Sequence, residues 1–261
     1  MSGSWGNVTD AKNADLLNSG AYALTESRQQ LELAENSARR AVELLTNESA
    51  QWAIDNGKPE QTKRMHLLVA AWDTLGWALM QEGKPEKIEE AYGYVRAAWR
   101  NSLRADIGLH LGEIEEKRGH KQAALATYTL AVASLPLGIP GAQALLMQPA
   151  KVELQERLGA LKSSGIRVAF RDATMRLQGL RTLPIGASSN IGVTQCTVLL
   201  RAGEVVDVQP APKGAIDQDP SVRRADFKEW FPPYSHANLV LSGMRNCHGG
   251  ACEFVVLPSR F

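Results

Sequence analysis

Charge of one sign is in short supply in this 261-residue chain: 29 Lys and Arg stand against 28 Asp and Glu, a formal net charge of +1. A near-neutral chain has no broad electrostatic attraction for nucleic acid or for acidic membranes, so neither is expected as a partner. Long apolar runs are lacking too. None approaches the roughly 20 residues that cross a bilayer, and no membrane insertion is expected. The opening stretch, residues 1–13, lacks the charged-then-apolar layout of a secretory signal. No Gly-rich phosphate-binding loop is present, and only three cysteines occur. What remains is ordinary for a folded protein: hydrophobic residues are 44% of the chain and charged residues 22%, which argues against disorder. At about 150 residues per domain, the length corresponds to two domains.

Composition shifts along the chain. Five of the six Trp (Trp5, Trp52, Trp72, Trp77, Trp99) precede residue 164, and only Trp230 follows it. Residues 1–164 are rich in Ala, Leu and Glu at helical spacing, whereas the rest carries short alternating stretches broken by Gly and Pro. Basic and acidic residues number 18 and 20 before residue 165, and 11 and 8 after it, too small a difference to name a partner. The expected fold is therefore α+β in two domains. A helical domain spans 1–163 and a small α+β domain spans 164–261, with the boundary near 162–166.

The helical part contains internal repeats. Trp72, Leu75, Gly76 and Gly83 are followed by Ala91, Val95 and Ala98; Leu111, Gly112 and Gly119 are followed by Ala124, Tyr128, Ala131 and Pro136. The second set matches the 34-residue tetratricopeptide pattern at each of these positions. Gly76 to Gly112 is 36 residues and Ala91 to Ala124 is 33, so the first copy carries about three extra residues at its turn, Lys84-Pro85-Glu86. In such a pattern small residues sit where antiparallel helices approach, and large ones fill the gaps between neighbouring pairs. Gly83 and Gly119 stand where a left-handed cap ends the first helix of a pair. An earlier copy keeps the rhythm with Gly20, Ala21 and Leu24, then Ala34, Ala38 and Ala41. A long connection, Asn47–Gln61, separates it from the next. Pro149–Leu161 reads as a final amphipathic helix over the open end of the stack.

From about Ile166 the period changes. Gly192–Arg201 and Glu204–Gln209, joined at Ala202-Gly203, read as a β-hairpin. A helix capped by Asp219 or Ser221 is expected through Trp230, stopped by Pro232-Pro233. His236–Arg245 and Cys252–Leu257 read as closing strands, linked by His248-Gly249-Gly250-Ala251. The expected order is β-β-α-β-β.

These motifs carry a resemblance. The run Ala71-Trp72-Asp73-Thr74-Leu75-Gly76-Trp77, then Ala97-Ala98-Trp99, then His110-Leu111-Gly112-Glu113-Ile114, resembles the tetratricopeptide tail of bacterial transglutaminase-like envelope proteins of unknown function. Leu17-Asn18-Ser19-Gly20-Ala21-Tyr22-Ala23-Leu24 and Leu31-Glu32-Leu33-Ala34 are similar to the start of that tail. Leu239–Cys247 followed by Cys252–Pro258 is similar to its end, where an arginine-bearing strand precedes a cysteine pair and an apolar strand. The terminal unit also resembles the C-terminal domain of TonB-type energy transducers, in its strand-helix-strand order only. The enzyme-like core of those envelope proteins is absent, so the resemblance implies no catalytic residue in this chain. The chain is either a separate protein or a fragment of a longer precursor. The resemblance implies a periplasmic or extracellular location, where Cys247 and Cys252 are expected as a disulfide across a short loop; two reduced thiols are the alternative.

Cys196, on a predicted strand, reads as a small buried apolar residue. Cys247-His248 invites a nucleophile reading, but neighbours on a strand point to opposite faces. Cys247, His248 and Cys252 fall one short of the four ligands of structural zinc. Glu113-Ile114-Glu115-Glu116 and Glu86 to Glu90 read as solvated helix faces. His110 and His120 read as core or surface histidines. Trp72, Trp77, Tyr92, Tyr94 and Trp99 read as core packing, with Trp99 or Tyr92 as candidate exposed contacts.

No catalytic, cofactor or metal set converges, so no enzyme and no cofactor are expected. A non-enzymatic protein-protein interaction module is the leading expectation, with a protein or peptide as partner. A self-assembling filament subunit is the alternative, with the free end of the first repeat and the Asn47–Gln61 connection as the places to look. An enzyme using Cys247 comes last. With so little net charge, function is expected to depend on shape and packing.

Overall fold

The structure, a computed structural model, describes residues 5–54, 59–135, 148–188, 191–211 and 220–258. Among them are eight α-helices and one five-stranded antiparallel sheet, helices first and most strands last, which makes the protein α+β. Seven helices form a stack: α1 (Trp5–Glu26), α2 (Leu31–Ser49), α3 (Pro59–Glu82), α4 (Pro85–Ser102), α5 (Ala105–Lys117), α6 (Lys121–Ser134) and α7 (Gln148–Ser163). Each packs on the next, and α1, α3 and α5 also touch in succession as one layer.

Small residues set the helix spacing. A Cβ added at Gly76 would lie 2.4 Å from Val95 Cγ2 and 2.9 Å from the Ala91 carbonyl oxygen of α4. One added at Gly112 would lie 2.1 Å from the Tyr128 ring of α6. Trp72, Leu75, Ala91, Ala98, Leu111, Ala124, Tyr128 and Ala131 are all buried around these approaches. Pro136 lies outside the described residues.

Gly83 takes φ of +71° directly after α3, and Gly119 takes +79° one residue beyond, after the α5 cap Arg118. At Gly119 the His120 N–H reaches the Glu115 carbonyl and the Gly119 N–H reaches that of Glu116, a Schellman closure. Pro85 opens α4 at a position that needs no N–H donor.

The connection between the first two pairs is shorter than Asn47–Gln61. Helix α2 runs to Ser49 and α3 starts at Pro59, because Leu45 and Ser49 extend the buried stripe of Ala34, Ala38 and Ala41 by another turn. Within it Trp52 is buried, and the Gln61 amide bonds both the N–H and the carbonyl of Ala53 at 3.3 and 3.1 Å. Residues 55–58 lie outside the described residues.

After α8 (Ala173–Leu180) come β1 (Thr182–Gly186), β2 (Gly192–Arg201), β3 (Glu204–Ala211), β4 (Asn238–His248) and β5 (Ala251–Val256). The sheet order is β1-β5-β4-β2-β3. Two-residue turns close both hairpins, with positive φ at Ala202 and Gly203 and again at Gly249 and Gly250, matching the strands' twist.

The helix expected from Asp219 or Ser221 to Trp230 is absent. Two 3-10 turns, Pro220–Arg224 and Lys228–Trp230, stand in its place, and Asp219 lies outside the described residues. Val222, Ala225, Phe227, Trp230 and Phe231 all point inward. Ala225 and Phe227 would lie about 200° apart on one α-helix, so a single helix cannot bury both. Helix α8 and strand β1 were not expected from the pattern. Asp172 caps α8 by accepting the Met175 N–H at 3.0 Å, and Pro184 is tolerated because β1 is an edge strand.

The sheet part packs on the helical stack through α2, α4 and α6. The Asn238 N–H donates to Ser49 Oγ at 2.8 Å, and the Asn101 amide donates to the Trp230 carbonyl at 2.7 Å. Gly93 of α4 abuts Pro233, and Trp72 meets Phe231 with ring centroids 6.1 Å apart. One hydrophobic cluster therefore runs through both parts.

Candidate functional site

Two features bear on function: a buried charged cluster where α1, α3 and α5 meet, and an open groove on the far side of α1 and α2.

His110 of α5 is only 5% exposed, and its Nδ1 lies 3.0 and 3.1 Å from the two carboxylate oxygens of Asp73 on α3. The ring stacks on Trp77 with centroids 4.0 Å apart, and the Trp77 indole N–H donates to Glu26 of α1 at 2.8 Å. Burial pulls the imidazole pKa down, but the charge and hydrogen bond of Asp73 outweigh it and push it up to about 9. An imidazole that stays protonated near neutrality does not act as a general base. Among the described residues no hydroxyl or thiol is bonded to it, and no group of three His, Cys, Asp or Glu is arranged to hold a metal. The arrangement does the work of an internal ion pair that registers three helices.

The Glu113-Ile114-Glu115-Glu116 carboxylates do not form a solvated face. Burial pushes Glu113 and Glu115 up to about 7. Arg157 of α7 spans Glu113 and Glu116 at 3.0 and 3.8 Å, Thr127 donates to Glu115 at 2.7 Å, and the Tyr128 hydroxyl donates to Glu116 at 2.6 Å. For Glu113 and Glu116 the cause is α7, which seats Leu154, Leu158 and Leu161 beside α5 and α6, whereas Glu115 meets α6 through Thr127.

These groups set the pH dependence of folding. Ionising Glu113 and Glu115 opposes folding as pH rises from their ordinary 4.5 to about 7. The contribution of His110 is complete below 6.5 and is lost as pH rises to about 9. Glu82, hydrogen-bonded to Glu35 and to Lys87 and Lys84, is held down at about 2, so its contribution is lost as pH falls below 4.5. Thermal unfolding followed from pH 3 to 9 is expected to peak at about pH 5, with a shallower alkaline limb in His110→Gln. A melting temperature that rises steadily to pH 9 contradicts this.

In the sheet, Cys247 and Cys252 oppose each other across β4 and β5 with Cα atoms 4.1 Å apart, and their sulfurs are bonded. Both are buried, while His248 faces outward. Arg245 donates to Cys247 Sγ at 3.2 Å. Cys196 is buried and free, and burial pushes its thiol up to about 11. Iodoacetamide is therefore expected to leave the native protein unmodified, to add one group after unfolding without reductant, and three after unfolding with it. Intact mass reads each outcome.

Trp99 is buried, so it is not an exposed contact. Tyr92 lies between the guanidinium groups of Arg118, at 3.8 Å from its ring centre, and Arg96, at 5.4 Å. His120 is exposed at the position before α6.

The groove lies at the free end of the first repeat, a place the self-assembly alternative points to, although its lining residues were not singled out as a site. Leu16, Leu17, Gly20 and Leu24 of α1 and Leu33 and Leu44 of α2 line a hollow of about 380 Å³, with Arg40 on its wall. Leu16 is 70% exposed and Leu33 50%. Ala14, Ala21 and Thr25 occupy the opposite, buried side of α1. The signal was in the spacing: 16, 17, 20 and 24 on one helix and 33, 37, 40 and 44 on the next each trace one helical face. Comparison of the chain with protein-family models, curated proteins and solved structures finds no match.

Proposed function

We propose that the chain is a non-enzymatic interaction module, a tetratricopeptide-type stack that takes an amphipathic helix of a protein partner in the α1–α2 groove. The observation that carries this is the exposure of Leu16 and Leu33 beside three half-buried leucines, on a helix pair that packs on α3 by another face. Two parallel leucine stripes suit a helix presenting its own apolar residues at i, i+3, i+4 and i+7. Helix α7 shows the same chemistry at the other end of the stack, where Leu154, Leu158 and Leu161 lie against a helix pair. The close approaches at Gly76 and Gly112 support the repeat reading. The Cys247–Cys252 bond supports an oxidising compartment, periplasmic or extracellular. The TonB-type likeness is not carried further, since it depended on a helix where two 3-10 turns stand.

The test is fluorescence anisotropy with a labelled designed helical peptide carrying a leucine stripe, against a scrambled control. Saturable binding of the striped peptide is expected, weakened by at least about tenfold in Leu16→Glu/Leu33→Glu, the cost of setting charge against an apolar ligand face. No binding, or equal binding of both peptides, overturns the proposal.

A further inference from the structure

We propose that the Cys247–Cys252 bond is a reversible redox site and not a fixed staple. A dithiol attacks Cys252 Sγ and releases Cys247 as a thiolate held by Arg245.

The sheet does not depend on the bond. The two cysteines are five positions apart, so closing so short a loop removes little entropy from the unfolded chain. The hairpin has other means of holding its shape. Strands β4 and β5 pair from Gly243 opposite Val256 to His248 opposite Ala251, and β4 pairs along its other side with the whole of β2. Phe254 fits under Gly243, where a Cβ would stand 2.2 Å from its ring. Opening the sulfur bond leaves this register in place.

Arg245 supplies the chemistry. It is only 3% exposed and shares the inward face of β4 with Cys247. Its guanidinium donates to Cys247 Sγ at 3.2 Å and to Thr194 Oγ1 of β2 at 3.3 Å. Both of these acceptors are neutral while the disulfide is closed, and a disulfide sulfur accepts weakly. Cleavage turns the Cys247 sulfur into an anion in the same place, and the contact becomes charge-assisted. The guanidinium therefore favours the opened form. It also selects Cys247 as the leaving sulfur, because the stabilised thiolate leaves faster. His248 is exposed and Glu253 accepts from the Asn246 amide at 3.1 Å, so both turn to the opposite face of the strands. Cys196 stands opposite Gly243, four residues along β4 from Cys247, which is about 13 Å and out of reach of the pair.

Access selects the other sulfur for attack. Cys252 is 6% exposed and Cys247 1%, and Cys252 directly follows the exposed turn residues Gly249, Gly250 and Ala251. The end of a hairpin opens without moving the strands behind it. The incoming thiolate bonds to Cys252 Sγ as the Sγ–Sγ bond breaks onto Cys247. The donor's second thiol then displaces Cys252, passing its proton to that sulfur. The protein gains two electrons, and the donor leaves as its own disulfide.

Dithiothreitol is the probe. Native protein is treated with it, then unfolded and alkylated, and intact mass counts the added groups. The wild type is expected to pass from one group to three while its circular dichroism stays unchanged. In Cys252→Ser, thiolate absorbance is expected to show Cys247 titrating well below the ordinary value of about 8.5, apart from Cys196 at about 11. Arg245→Gln is expected to slow reduction by at least about tenfold, and Arg245→Lys to keep most of the rate. Since Arg245 is buried, the Cys252→Ser titration decides the matter even where Arg245→Gln does not fold. Reduction only on unfolding, a Cys247 thiol that titrates at or above its ordinary value, or an Arg245→Gln protein reduced at the wild-type rate overturns the proposal.

Discussion

Asp73→Ala is expected to remove about 3–5 kcal/mol of folding stability, the cost of leaving one member of a buried ion pair without its partner. His110 is enclosed between α3 and α5, and Asp73 is what keeps its imidazolium favourable there. Without the carboxylate, burial pulls the ring down against only the smaller pull of Asp106 and Glu113, and its pKa falls from about 9. The loss is therefore expected to be largest in acid, where the ring must either carry an uncompensated charge or unfold. Urea denaturation at pH 5 and at pH 9 measures the difference, and a histidine NMR titration reads the pKa directly. A double-mutant cycle with His110→Gln separates the pair from its parts: the second substitution is expected to cost little once Asp73 is gone. A loss under 1 kcal/mol at both pH values contradicts this account.

Gly76→Ala is expected to cost about 3 kcal/mol, although alanine is the better helix former. The added methyl would stand 2.4 Å from Val95 and 2.9 Å from the Ala91 carbonyl oxygen, and the second contact is backbone that no rotamer change relieves. Helices α3 and α4 must separate, which loosens the packing of Trp72 and Leu75 beside them. Gly20→Ala is the matched control. It adds the same atom to an exposed helix site with nothing within 4 Å and is expected to raise the stability of the monomer by up to about 1 kcal/mol. The two substitutions have the same chemistry and opposite sign. Thermal melts of both variants at low protein concentration decide the matter, and a Gly76→Ala protein as stable as the wild type would remove the close-approach account.

The helical half was legible because its determinants are local. Alanine, glycine and aromatic residues recur at helical spacing, and the capping glycines at 83 and 119 mark the ends of α3 and α5 whatever the rest of the chain does. The two hairpins were legible for the same reason, since Ala202-Gly203 and Gly249-Gly250 supply the positive φ that two-residue turns need. The segment around residues 219–230 misled the pattern because its apolar residues answer to the sheet and to α4, not to each other. In the candidate sites, the Asp73–His110 pair joins residues 37 positions apart, and its charge state depends on enclosure by neighbouring helices. Glu113 reads as solvent-facing until α7 is laid over it, and Glu115 until Thr127 of α6 meets it.

The helices of the stack, the two hairpins and the close approaches at Gly76 and Gly112 follow from the sequence alone, because these depend on neighbours within a few residues. That Asp73 and His110 meet, that β4, the Lys228–Trp230 turn and helix α8 pack on α2, α4 and α6 in that order, and that leucines 16 and 33 face outward follow only from how the chain is folded. Burial and pKa depend on what lies across the fold, and no local pattern carries that information.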